Sequence, residues 1–279
     1  TALAQACLVF VNEILDGAEL TVIAMGKFGG REISYGADLD VLFIGSDDRQ
    51  PQSLLSALAQ PSPAGNLPRV DARLRPEGEK GPLTCSLETY RQYYAGRAQA
   101  WELQALTRAR PITGPLANNF MEIARDVWLN AGKEVDLFRK IDNMLQRIRR
   151  ERGSGSDFLD FKTGSGGSVE AEFLVQALQM RGGIFEPNWR RAIDRLHEAG
   201  VLSESDVVRL KRSYAFLRRC ESVLRRYDNR AVATLPADVM EQRNFARRMD
   251  GQTIEAFTEE YLAARSTIHQ IYEERIRCG

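Results

Sequence analysis

The chain has 279 residues, and Lys plus Arg and Asp plus Glu both total 38, so its formal net charge is zero. That length exceeds the about 100 to 200 residues of a usual single domain and predicts two cores. The charge balance supplies no global basic field, which argues against a nucleic-acid substrate. No apolar run approaches the roughly 18 residues that cross a bilayer, and the first residues carry no signal-peptide pattern. Cys7, Cys85, Cys220 and Cys278 lack metal-ligand or disulfide spacing, so reduced thiols and a cytoplasmic location are expected. A start at Thr1 rather than Met suggests an excised fragment.

Leu3, Cys7, Phe10, Val11 and Ile14 fall at helical spacing and predict an opening amphipathic helix with that face on a sheet. The run Leu20-Thr21-Val22-Ile23 reads as a strand entering a glycine turn, Gly26-Lys27-Phe28-Gly29-Gly30-Arg31-Glu32. Gly29 and Gly30 can take positive φ there and bring backbone N–H groups close to a phosphate. Next comes Gly36-Ala37-Asp38-Leu39-Asp40-Val41-Leu42-Phe43-Ile44, a strand with Asp38 and Asp40 on one face and Leu39, Val41 and Phe43 on the other. Two such carboxylates repel by about 1 kcal/mol in water and several-fold more near a protein surface. A bound Mg²⁺ removes that cost, whereas an isolated Asp-x-Asp is more often a solvated turn.

Pro51 and Gln52 open a short helix to about Gln60, and Pro61-Ser62-Pro63-Ala64-Gly65-Asn66 loops back to a third strand. In that strand, Val70-Asp71-Ala72-Arg73-Leu74-Arg75-Pro76, alternation places Asp71, Arg73 and Arg75 on one face. Gly78 to Pro82 turns into a long helix capped by Ser86, with Tyr90, Tyr94 and Trp101 along it. The aromatic stripe reads as core packing, with a ring bordering adenine as the functional alternative.

From Pro115 onward strand signals vanish. Helices are predicted over Leu116 to Asn130, Glu134 to Arg152, Ser168 to Arg181, Asn188 to Gly200, Ser205 to Arg226, Ala237 to Met249 and Thr253 to Arg277, which makes a bundle. Gly153-Ser154-Gly155-Ser156 is a flexible break, preceded by the basic run Arg147 to Arg152, a solvated face or a contact for phosphate or an acidic partner. Lys162-Thr163-Gly164-Ser165-Gly166-Gly167 opens a helix as an anion site would. It lacks the ending of a Walker A motif, and Glu170 and Glu172 would repel phosphate there or simply suit the helix dipole. His197 and His269 read as ordinary helix residues.

The glycine pair, the Asp-x-Asp strand and the acid of the third strand together resemble the nucleotidyltransferase superfamily of DNA polymerase β. Longer strings, Gly26 to Glu32, Val70 to Pro76, Gly81-Pro82-Leu83, Ala100-Trp101-Glu102 with Gln104 to Arg110, and Gly166-Gly167 before Glu172-Phe173, resemble glutamine synthetase adenylyltransferase. Ala37 stands where that family usually has Ser, Gly164 to Glu170 departs from its commoner Gly-Pro-Gly-Gly and Asp, and Ser46 to Arg69 is short. The resemblance implies an α+β fold, with a DNA polymerase β-like nucleotidyltransferase domain at 1–114 followed by an all-α helical bundle at 115–279. It also implies one half of a two-half enzyme that moves AMP between ATP and a tyrosine of glutamine synthetase. Ala100 to Arg110 is more similar to the adenylylating half than to the removing half. Asp38, Asp40 and Asp71 would then bind two Mg²⁺ and carry the chemistry, with Asp71 taking the tyrosine proton. Gly29, Gly30, Lys27, Arg73 and Arg75 would hold the triphosphate. Expected partners are glutamine synthetase, PII regulatory proteins and the homologous second half, without nucleic acid or membrane. Phosphorolytic removal of AMP, another template-independent nucleotidyl transfer and a non-catalytic nucleotide-binding module are the alternatives.

Overall fold

The structure is a computed structural model that describes residues 1–61, 65–153, 155–228 and 232–278. Of the predicted loop from Pro61 to Asn66, residues 62–64 lie outside the described residues, as does Ser154 of the predicted break. Two compact units divide the chain: Thr1–Ile33, Ala37–Lys133 and Phe185–Asn188 form the first, and Ser34–Gly36, Glu134–Ile184 and Trp189–Gly279 the second.

In the first unit the elements run α1 (Ala2–Ile14), β1 (Thr21–Ala24), α2 (Gly26–Gly29), β2 (Leu39–Ile44), α3 (Arg49–Leu58), β3 (Val70–Asp71), β4 (Thr84–Cys85), α4 (Leu87–Gly96), α5 (Ala100–Ala105), β5 (Arg110–Thr113) and α6 (Ala117–Gly132). The sheet order is β3-β2-β1-β5, with β4 also paired to β2. Strand β1 runs antiparallel to β2 and to β5, while β3 and β4 pair parallel with the two ends of β2, at Leu39–Asp40 and at Phe43–Ile44. The long apolar β2 is therefore the spine of the sheet, and its edge partner is interrupted between residues 71 and 84.

Alternation along β2 works as the sequence predicts. Leu39, Val41 and Phe43 join Val22, Ala24 and Phe28 in a core closed by Ala4 and Leu8 of α1 and Leu54 and Leu58 of α3. The face of α1 differs from the expected one. Ala4, Leu8 and Asn12 are buried, whereas Leu3, Phe10 and Ile14 are exposed, because the helix is rotated so that the smaller side chains meet the sheet. Asn12 is satisfied there by donating to the Gly17 carbonyl at 2.9 Å.

Three further expectations are corrected. The third strand stops at Asp71, since the backbone turns at residues 73–77. The helix capped by Ser86, whose Oγ accepts from the Thr89 N–H, ends at Gly96, and Trp101 lies on the separate α5. The boundary expected at 114 falls at 133, because α6 packs with the sheet unit: Phe120 meets Tyr90 edge-on at 5.1 Å, and the Trp128 indole donates to Thr107. Tyr90 and Tyr94 are buried in this packing, as their stripe suggests.

The second unit contains α7 (Leu137–Arg152), α8 (Ser168–Gly182), α9 (Trp189–Glu198), α10 (Glu204–Asp228), α11 (Val239–Arg248) and α12 (Ile254–Tyr272), ending in one π turn at Glu273–Arg277. Each of these six helices lies within a few residues of its predicted span. Helix α8 touches α7, α9, α10 and α12 and buries residues all round its circumference, so it is the central rod of the bundle.

Candidate active site

Asp40 sits on β2 directly across from Asp71 on β3, in a parallel register that separates neighbouring strands by about 4.8 Å. Asp38 stands exposed one residue before the strand begins. Burial first, then the charges of Asp71 and Asp38, push the Asp40 carboxyl up to about 6, with Lys27 and Arg73 pulling the other way. The third acid is thus neither remote nor turned into the core. An all-oxygen donor set carrying this repulsion fits a hard divalent cation. Among the described residues, however, no three such side chains converge closely enough to enclose a metal ion.

Asp71 is instead taken up by Arg73. The guanidinium Nε donates to both carboxylate oxygens at 2.9 Å, Nη2 donates to Oδ2, and the Arg73 backbone N–H donates to Oδ1 at 2.9 Å. Those bonds hold the Asp71 carboxyl below its ordinary value. Arg75 does something different from the strand-face role expected of it. Its guanidinium donates to the carbonyls of Ala72, Glu79 and Gly81 and so braces the turn that separates β3 from β4. Asp48 fixes the far end of that turn by accepting from the N–H groups of Leu83 and Thr84.

The glycine segment is a short helix rather than an open turn. Gly29 and Gly30 do not adopt positive φ, and their N–H groups donate to the carbonyls of Met25 and Gly26 at 2.7 and 3.1 Å. Neither amide is free to cradle phosphate in the way the sequence suggests. Glycine is needed at 29 because a Cβ would collide with the carbonyl oxygen of Arg108. The residue with the left-handed backbone is Gly26, at φ 52°, and a Cβ there would strike the Asp40 carboxylate. Gly26 is therefore the site residue that sequence reasoning passed over; its signal was a glycine at the junction of strand and helix.

Arginines from the β5 side hold this segment in place. Arg110 donates to the Phe28 and Gly29 carbonyls at 3.1 and 2.9 Å, closing the end of α2, and burial beside Arg31 lowers it to about 10. Buried Arg108 pairs with Glu32. Gly29→Ala should therefore destabilise the first unit by about 1 to 3 kcal/mol through overpacking, read as a lower thermal midpoint; an unchanged midpoint would show that Arg108 yields without cost.

The glycine-led start of α8 is no anion site. The N–H groups of Lys162 and Thr163 donate to Asp160, that of Ser165 to Asp157, that of Gly166 to Glu170 and that of Gly167 to the Gly164 carbonyl. Glu170 is wholly buried and also accepts from Arg149 and His269, and Glu172 accepts from the Tyr214 hydroxyl. Within the basic run, Arg147 pairs with Glu151 and Arg149 with Glu170, so part of it serves the bundle itself. His197 bonds the Leu202 carbonyl locally.

Two acids thus stand in register on adjacent strands, with the charges of Lys27 and Arg73 acting on Asp40. Residues 2–122 match the family model of glutamate-ammonia ligase adenylyltransferase, and residues 136–276 match the model described as GlnD PII-uridylyltransferase. Over residues 2–122 the chain belongs to the glutamate-ammonia ligase adenylyltransferase family, a match to a single half of such an enzyme.

Proposed function

We propose that this chain transfers AMP from ATP to a tyrosine of glutamine synthetase, on a domain of DNA polymerase β type. The observation that carries the reading is Asp40 set opposite Asp71, with Asp38 at the strand mouth, where burial first and then the repulsion of Asp71 and Asp38 raise Asp40 to about 6. Asp38, Asp40 and Asp71 would hold two Mg²⁺, which when bound supply stabilisation of both the entering and the leaving oxygen of an in-line displacement.

The protein's own groups do the rest. Asp71 accepts the proton of the tyrosine hydroxyl as its oxygen bonds to the α-phosphorus, and the bond to the β-phosphate oxygen breaks to release pyrophosphate. Lys27 and Arg73 offset the charge that gathers on that leaving group. Gly29, Gly30 and Arg75 act one step back from the nucleotide, by shaping the segments that present Lys27 and Arg73. The forward direction rests on Ala100 to Arg110, which is similar to the adenylylating half. PII proteins and the homologous second half are the proposed regulators, in the cytoplasm.

Incubating the chain with labelled ATP, Mg²⁺ and unmodified glutamine synthetase should place label on tyrosine. Release of AMP only from pre-modified enzyme and phosphate would reverse the direction, and no turnover in either assay would leave a nucleotide-binding module.

A further inference from the structure

We propose that Arg73 is a stand-in cation: in the nucleotide-free chain its guanidinium fills the place on Asp71 that a divalent ion takes, and it passes from Asp71 to the triphosphate when metal and nucleotide arrive. This inference rests on the reading of Asp71 as a metal-binding acid.

Arg73 engages both carboxylate oxygens of Asp71 through its side chain and one of them again through its backbone N–H. The carboxylate thus already holds a positively charged, bidentate occupant. The occupant is loosely tethered. Its side chain is 64% exposed, and Glu79 also lies beside it, at 4.0 Å. Arg75, two residues on, is bound to three carbonyls and cannot leave without undoing the turn. One motif therefore supplies both a fixed strut and a movable arm.

The exchange is chemically matched. A guanidinium fork fits a carboxylate and a phosphate equally well, and a doubly charged ion attracts a carboxylate about twice as strongly as a single charge at the same distance. A divalent ion can then displace Arg73 from Asp71, and the freed guanidinium meets a second set of anionic oxygens on the incoming triphosphate. Metal alone must expel Arg73 without that compensation. Metal and nucleotide are accordingly expected to bind cooperatively.

The test is a titration of the full nucleotide-free chain with Mn²⁺ as a paramagnetic substitute for Mg²⁺, reading the free ion by electron paramagnetic resonance. Arg73→Met should bind Mn²⁺ at least about fivefold more tightly than the wild type. Arg73→Lys, a point charge without the fork, should fall between them. The gain should vanish in the Arg73→Met, Asp71→Asn double variant. With a non-hydrolysable ATP analogue present the order should invert, wild type binding the metal–nucleotide pair more tightly than Arg73→Met. Affinity of Arg73→Met within twofold of wild type, while Asp71→Asn weakens Mn²⁺ binding, would overturn the handover and leave the metal site standing. Mn²⁺ binding untouched by both Asp40→Asn and Asp71→Asn would overturn the metal site, and the handover with it.

Discussion

Asp40→Asn is expected to lower AMP transfer by about a thousandfold while making the metal-free chain more stable at neutral pH. The loss follows because Asp40 is the most buried of the three acids and its charge is what would anchor the cation beside the reacting phosphorus. The gain follows from the same charge. Burial and the neighbouring Asp71 and Asp38 raise the Asp40 carboxyl from 3.8 to about 6, so the folded chain holds this proton more tightly than the unfolded chain does. Its contribution to stability is complete below pH 3.8 and is lost as pH rises through about 6. Above that window the ionised side chain costs about 3 kcal/mol.

Asparagine removes the charge and keeps the shape. Without divalent ions, the thermal midpoint of the wild type should fall between pH 4 and pH 7 more than that of Asp40→Asn, and at pH 7.5 the variant should melt several degrees higher, at about 2 to 4 °C per kcal/mol. Mg²⁺ should restore the wild type and leave the variant unmoved. Near-normal turnover by the variant would refute the assignment of Asp40, and parallel pH curves would refute the account of its environment.

Glu170→Ala is expected to destabilise the helical unit by about 3 to 5 kcal/mol. Glu170 lies on α8 with a fully buried side chain, and three donors converge on it: Arg149 from α7, His269 Nδ1 from α12 at 2.8 Å, and the Gly166 N–H at 2.5 Å. Removing the carboxylate leaves a largely buried guanidinium without its counter-charge and a buried amide without its acceptor, each at a desolvation cost. Glu170→Gln keeps an acceptor but no charge and should lose less. Urea unfolding followed by circular dichroism measures both, and a midpoint for Glu170→Ala matching the wild type would show that the three helices are held by apolar packing alone.

The same residue shows where sequence reading stops. The acids at 170 and 172 look from sequence like groups facing an anion site, because the glycine run before them has the composition of one. In the folded chain the N–H groups of Lys162, Thr163, Ser165, Gly166 and Gly167 are each bonded to a carboxylate or carbonyl of the same unit. Two of the three donors that explain Glu170 are 21 and 99 residues away in sequence. No local pattern announces a partner at such a distance.

Local periodicity was enough to determine β2 with its inward Leu39, Val41 and Phe43, and the spans of the helices from Leu137 to Tyr272. These depend on period-2 and period-3.6 patterns, which are written in consecutive residues. Tertiary contact alone decided which apolar stripe of α1 is buried, since Leu3, Phe10 and Ile14 make as plausible a face as Ala4 and Leu8 until the sheet is present. It likewise decided that Arg110–Thr113 is a strand despite its arginine and proline, through pairing with β1. It also made Gly26 rather than Gly29 the residue that gives way to the Asp40 carboxylate, and it bound Arg73 to Asp71 while Arg75 turned to brace the loop. Each of these outcomes depends on what stands opposite a residue in space, and that is set only once the strands have found their register.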